Sequence, residues 1–297
     1  MDMPRHGTVL SIVLLTSALL ACKGVTDLLG QSTSASPTPS AAPSAAAPAA
    51  PTEVTFVKAV PKVGTKAKID TSTNVKFTVD GKVFRSTEVG SVAVDVQGSD
   101  EFRVTKAALD VKELFTTEQQ GTGAEKKSVS PLSGSRFIVS RADDGKLSAL
   151  DASGNKVKGA QLAEIDKHYK NVFERDKSRE FLPNRPVKIG EKLVPSADAV
   201  LGLLGQKDDG SASVDGVEFI LRSASPGKAT FAVSLTFTQK LGASMRLRAK
   251  LEGNVDVRPE DSEILNLSLK GPLSLIDGQG NDKGSGELSF TGTETPG

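Results

Sequence analysis

From residue 53 onward the chain is patterned with a period of two, and that pattern narrows the architecture more than any other feature. Val75, Phe77 and Val79 alternate with Lys76, Thr78 and Asp80 before Gly81, and Val92, Val94 and Val96 alternate with Ala93, Asp95 and Gln97 before Gly98. Successive side chains of a strand point to opposite faces, so each run describes a strand with one buried and one wet face. Phe102 with Val104, Leu109 with Val111, and Phe137 with Val139 extend the theme, and Leu147 and Leu150 follow the turn signal Asp143-Asp144-Gly145. The second half repeats it. Val217, Phe219 and Leu221 precede Pro226-Gly227; Phe231, Val233, Leu235 and Phe237 make a longer run. Met245, Leu247, Ala249 and Leu251 come next, then Leu265, Leu267 and Leu269, and Leu288 with Phe290. Turn residues between alternating runs are the mark of antiparallel sheet.

Two stretches break the period. Across residues 160–177, Leu162, Ile165, Tyr169, Val172 and Phe173 recur at helical spacing and share one face, and Pro183 and Pro186 forbid continuation. Residues 197–204 form a shorter apolar stretch ending at Gly205, a residue suited to a helix C-cap. The expectation is an α+β fold, mostly antiparallel β, with strand-rich N- and C-terminal parts flanking one amphipathic helix and one short helix. The folded region is residues 53–297, 297 − 52 = 245 residues. It is either one unit or two subdomains, 53–158 and 187–297, joined by helix 160–177.

The N-terminus has a different character. An apolar run from Val9 to Leu20 spans twelve residues, which as helix reaches only about 18 Å against a hydrocarbon core of about 30 Å. It reads as the h-region of a signal peptide over residues 1–21. The following Leu19-Leu20-Ala21-Cys22 resembles the lipobox of bacterial lipoproteins, and Cys22 is the only cysteine in the chain. The resemblance implies cleavage between Ala21 and Cys22, acylation of Cys22, and a membrane partner reached through that lipid anchor. Lys23 does not match the Asp of the inner-membrane retention signal, so the resemblance points to the outer membrane of a bacterial cell envelope. Residues 22–52 then form a tether. Its stretch 31–52 consists of Ala, Ser, Pro and Thr with one Gln, contains five prolines and carries no charge. Such a segment cannot bury enough apolar surface to offset the entropy of ordering it.

Composition removes several functions. Lys and Arg number 37 and Asp and Glu 36, a net charge of +1, which speaks against a nucleic-acid binder. One thiol makes no internal disulfide and two histidines supply no His-rich metal site. No phosphate-binding glycine loop and no GxSxG elbow is present. His168, the single histidine after residue 22, would need a nucleophile and an orienting group to act as a base; a half-exposed helix residue is the simpler expectation. Residues 277–287, DGQGNDKGSGE, offer oxygen donors but place Asp282 where an EF-hand loop needs glycine and Leu288 where it needs glutamate. They read as a hairpin loop, as Asp143-Asp144-Gly145 and Asp208-Asp209-Gly210 read as turns. Arg246, Arg248 and Lys250 stand on one strand face and are the candidate contact for an anionic partner, lipid headgroup or envelope polymer, against the plainer role of a solvated face.

Phe181-Leu182-Pro183-Asn184-Arg185-Pro186-Val187-Lys188-Ile189-Gly190-Glu191 resembles the LP-x-x-PV-x-x-G-D/E segment of uncharacterised secreted bacterial β-rich proteins. Residues 134–154 resemble their strand–turn–strand, while the aromatic that often follows the Gly-acidic pair is replaced here, with Leu193 nearby. That resemblance implies architecture and envelope location and contributes no catalytic residue. The expectation is a non-enzymatic, lipid-anchored envelope protein without cofactor that binds or scaffolds a protein or polymer partner. The alternative is a carrier or sensor of a lipid-like ligand in a curved-sheet cavity, with an envelope hydrolase last. A carrier needs an unfilled apolar cavity; a scaffold needs none.

Overall fold

The computed structural model describes residues 52–173, 180–204, 206, 210–242 and 244–297. The signal peptide, Ala21, Cys22, the tether before Thr52, residues 174–177 of the expected helix, Gly205 and the pair Asp208-Asp209 lie outside the described residues. The alternating runs become long strands. After the short β1 (Glu53–Val54) come β2 (Lys66–Val79), β3 (Lys82–Ser99) and β4 (Val104–Gln120), then β5 (Lys126–Val129), β6 (Ser135–Arg141) and β7 (Leu147–Asp151). Helix α1 (Gly159–Tyr169) passes into a 3-10 turn (Lys170–Phe173). Then follow β8 (Val187–Lys188), β9 (Lys192–Leu193), helix α2 (Ala197–Leu203), β10 (Ala212–Ser225), β11 (Lys228–Leu241), β12 (Met245–Arg258), β13 (Glu263–Asp277) and β14 (Asp282–Pro296).

The strands form one antiparallel sheet of twelve in the order β7-β6-β4-β3-β2-β14-β13-β12-β11-β10-β9, with β5 paired to β4. Each half is a meander joined by turns. Asp80 and Gly81 both have positive φ, at 49° and 73°, as a two-residue hairpin matching the strand twist requires. The last strand closes on the first long one, with β14 paired to β2 from Gly284–Val79 to Pro296–Ala67. The two strand sets therefore share a single sheet.

Register puts the apolar residues on one face. The row Phe237–Ala249–Leu273–Gly286–Phe77–Phe84 crosses six strands through directly paired residues. A Cβ at Gly286 would overlap the Lys76 carbonyl oxygen, so only glycine allows β14 and β2 to approach there. The inner face carries two clusters. The larger spreads over β10–β14 and is covered by α2 and by Phe181, Leu182 and Val187. The smaller, on β2–β7, is covered by Ile165 and Tyr169 of α1 and by Phe173. Burial of side chains of this size stabilises the fold by about 1.5–3 kcal/mol each.

The segment 181–193 is a packed plug. Phe181 lies 4.8 Å from Phe219 between ring centroids and meets Phe231 edge-on at 5.9 Å. Its outer turn is tied by Glu191, whose Oε2 accepts from the Lys188 N–H and whose Oε1 meets Arg185. The chain that follows the tether joins this plug: Glu53 and Val54 pair with Lys188 and Val187, and Phe56 stacks near Phe231.

Four local expectations change. Phe102 belongs to the turn between β3 and β4 and is 55% exposed, because the bend after Ser99 takes it off the pleat. Leu150 points outward at the sheet edge while Ala149 packs inward, since Leu147 and Leu150 have opposite parity. Leu265 is half-buried, because a bulge pairs Val257 with Ile264 and Asp256 with Asn266, and Ile264 takes the inward place. The expected α-helix becomes 3-10 after Tyr169, which lets Phe173 reach the core. Helix α2 starts as the sequence implies, with Ser196 Oγ accepting from the Ala199 N–H at 3.3 Å.

Candidate functional site

A cavity of about 330 Å³ opens at the end of the sheet where the entering chain, the β3–β4 turn and the start of β13 meet. Its depth is apolar. Val94 and Val96 come from β3, Ala67 from β2 and Val104 from β4, all at inward positions, and Val60 and Pro61 form the opposite wall. Phe102 stands at the rim, and Asn171 and Val172 of the 3-10 turn bound one side. The cavity lies between the two covered regions. Val94 and Val96 belong to the cluster that Ile165 and Tyr169 of α1 cover, Asn184 of the plug joins the cavity lining, and the chain at 58–61 roofs the space.

Charged groups from several elements also line this cavity, among them Lys58, Glu101, Arg103, Glu180, Glu263 and Glu294. Glu263 is held by Arg258 Nη1 at 2.7 Å, and the same guanidinium takes Asp261 at 3.0 Å. Glu294 is buried on the inner face opposite Ile69, while Lys58 and Glu101 reach solvent at the mouth. Apolar walls and polar groups in one lining suit a molecule having both an apolar chain and a polar head.

A second cleft, about 170 Å³, lies between β3, β4, β5 and α1 and is rich in titratable groups. Glu88 enters it from β3, and Glu164, Lys167 and His168 enter from α1. Burial pushes the Glu88 carboxyl up to about 8, opposed by Lys167 and reinforced by the Glu164 charge. His168 is 7% exposed rather than half-exposed, because it lies with Tyr169 against Glu88, Gly90 and Leu114 of the sheet as well as beside the end of β5. Its Nε2 lies 3.1 Å from Glu164 Oε2, one helical turn away. Burial, then Lys167, lowers its pKa, and Glu164 works against that shift. Burial also raises the Tyr169 phenol. Ser128 and Ser130 line the same cleft, yet among the described residues no hydroxyl hydrogen-bonds to His168, so the acid–base pair has no nucleophile set beside it.

The other candidates separate from both sites. Arg246, Arg248 and Lys250 are exposed on the outer face of β12, opposite Lys240, Thr238 and Thr236 of β11, away from the cavity. The 277–287 stretch is a turn: Asp277 Oδ1 accepts from the N–H groups of Gln279 and Asn281, both at 2.9 Å, and Oδ2 meets Lys283 at 3.1 Å. Those bonds hold its carboxyl far below the usual range. Among the described residues no three His, Cys, Asp or Glu side chains are grouped to hold a metal ion.

Glu88 is not among the residues expected from the sequence, although a signal was present. Counting back in twos from Val92 puts Gly90, Glu88 and Ser86 on the inward side of the same strand. The cavity had no comparable signal, since its walls come from six separate places in the chain: 58–67, 94–104, 171–172, 180–184, Glu263 and Glu294.

No family model and no curated protein matches the chain. Three solved structures show limited likeness. One, described by lipid–protein interactions in lipovitellin, is 8% identical with a TM-score of 0.37, covering 80% of this chain and 26% of lipovitellin, so this chain spans about a quarter of that protein. DynF from the dynemicin biosynthesis pathway of Micromonospora chersina is 13% identical with a TM-score of 0.20, covering 94% and 95% of the two chains. A DUF1329 family protein from Desulfovibrio piger is 10% identical with a TM-score of 0.18, covering 79% and 87%. None reaches a TM-score of 0.5, and none bears on what this chain binds.

Proposed function

We propose that this chain is a non-enzymatic lipoprotein of the bacterial envelope, anchored through acylated Cys22 at the outer membrane, that binds the apolar chain of a lipid-like molecule. The observation that carries the binding is the cavity behind Val60 and Phe102, of about 330 Å³ with valine walls. A scaffold would have no use for that space, whereas a cavity of roughly 300–1,000 Å³ is the ordinary size of a ligand site. The exposed charges of its lining, Lys58, Glu101 and Glu180, suit a head group left at the rim. The lipobox-like Leu19-Leu20-Ala21-Cys22 supports the anchor.

Native mass spectrometry of the mature chain, purified from envelopes, tests the binding. A discrete added mass that organic extraction removes is expected, and Ala67→Phe, which fills the cavity, should lose it while keeping the far-ultraviolet spectrum. Bare protein from envelopes, with no uptake of a fluorescent fatty acid, would end the carrier reading. For the anchor, Cys22→Ser should leave the membrane fraction after a high-salt wash; retention would refute lipidation at that residue.

A further inference from the structure

Phe102 of the cavity lining is exposed, and so are Val57 and Val63, which flank the roof segment in the chain. Val57 is 52% exposed, Val63 63% and Phe102 55%. They bracket the roof segment 58–61 and the β3–β4 turn that together form the rim. Single exposed hydrophobics are ordinary, but several around one opening mark a contact surface. Lysines alternate with them: Lys58, Lys62 and Lys66 are all exposed in the same stretch. Lys66 approaches Asp95 at 3.8 Å, and Arg103 approaches Asp100 at 3.6 Å. Lys58 and Lys62 have no ion pair among the described residues, while Glu101 and Glu180 are exposed acids of the same lining.

The chain's path points the same way. The Val57 N–H donates to the Pro259 carbonyl at 2.9 Å, so the chain reaches the folded part at the cavity end of the sheet. From Cys22 to Pro51, both included, the sequence has 30 residues, about 90 Å if extended. An anchor at Cys22 by itself does not fix which face of the domain meets the membrane. A second attachment is then needed to hold one face there.

We propose that the cavity rim is a membrane-docking face, in which Val57, Val63 and Phe102 enter the headgroup region of a phospholipid bilayer while Lys58 and Lys62 meet its phosphates. Apolar side chains flanked by lysines that extend their charge to the interface are the chemistry of peripheral membrane attachment. Docking in this pose opens the cavity onto the bilayer, so a lipid chain passes between them without crossing water. The inference adds an orientation to the carrier reading but does not need the cavity to be filled.

The chain contains no tryptophan, so Val63→Trp introduces a single reporter at the rim, outside the cavity lining. In the anchor-free mature chain, Cys22→Ser, mixed phosphatidylethanolamine–phosphatidylglycerol vesicles should shift its emission to the blue, and free fatty acid alone should not. Val63→Ser with Phe102→Ser should lower vesicle sedimentation by about tenfold or more. Lys58→Glu with Lys62→Glu should lower it severalfold at low salt and less at high salt. Arg246→Glu with Arg248→Glu should leave it unchanged. An unshifted Val63→Trp spectrum, sedimentation insensitive to the rim changes, loss through the β12 arginines, or a dimer dissolved by the rim changes would each overturn the proposal. A bare mass in native spectrometry with intact vesicle binding would instead remove the carrier reading alone.

Discussion

The two halves of the inner sheet face are built to different standards. Under α2 and the plug, inward positions of β11 run Ala229, Phe231, Val233, Leu235 and Phe237, all buried, and Phe231 meets Phe56, Phe181 and Phe219. On β3 the inward positions run Phe84, Ser86, Glu88, Gly90, Val92, Val94 and Val96. Three of those seven positions, Ser86, Glu88 and Gly90, are polar or bare, and the cleft and one wall of the cavity lie along the strand. A sheet can therefore keep one continuous ladder of hydrogen bonds while its side chains specialise. The C-terminal half supplies packing and the N-terminal half supplies space and titratable groups.

The largest test of that contrast is Phe231→Ala, which removes the ring at the centre of the aromatic cluster. Urea unfolding should show a loss of about 3–5 kcal/mol. Val96→Ala, at the cavity wall, should cost distinctly less, because its neighbours already face open space. Equal losses would mean that the two halves are packed alike.

Next comes Glu88. Its folded-state pKa of about 8 lies above the usual 4.5, so the protonated form is the one the fold accommodates. The associated stability is fully present below pH 4.5 and is lost as pH rises through 8. Glu88→Gln should remove that dependence and raise stability at pH 9 by about 2–4 kcal/mol, since each tenfold change in proton affinity is worth about 1.4 kcal/mol. His168 acts at the other end. Its lowered pKa makes its contribution present above the unfolded value of 6.5 and lost as pH falls through the folded one. Thermal melts of His168→Gln should therefore lose part of the decline on acidification while keeping the alkaline decline due to Glu88. If the alkaline decline vanished too, the two groups would not be separable. The smallest expected change is Ser196→Ala at the α2 cap, about 1 kcal/mol by the same melts.

Much of this was legible in the chain itself. Alternation is local, so the inward sets on β2, β11 and β12 follow from residue order and the twofold pleat. The turn chemistry of Asp80-Gly81 and Asp277 to Asn281 follows from side chains that satisfy their own backbone. The two apolar stretches at 160–177 and 197–204 marked both helices, because burying one stripe needs only helical spacing.

What depended on long-range pairing was not legible. Whether β14 would close on β2 is a choice between residues more than two hundred positions apart, and no periodicity encodes it. The bulge that exchanged Ile264 for Leu265 arises from register with β12, since either residue is apolar enough for the core. His168 is buried because α1 docks on β3 and β4, a packing that helical spacing alone does not give. Glu88 was inward by parity, yet its raised pKa needed the helix above it. The cavity was decided last of all: it is the space left where Val60, Val94, Phe102 and Val104 converge, and empty space has no sequence of its own.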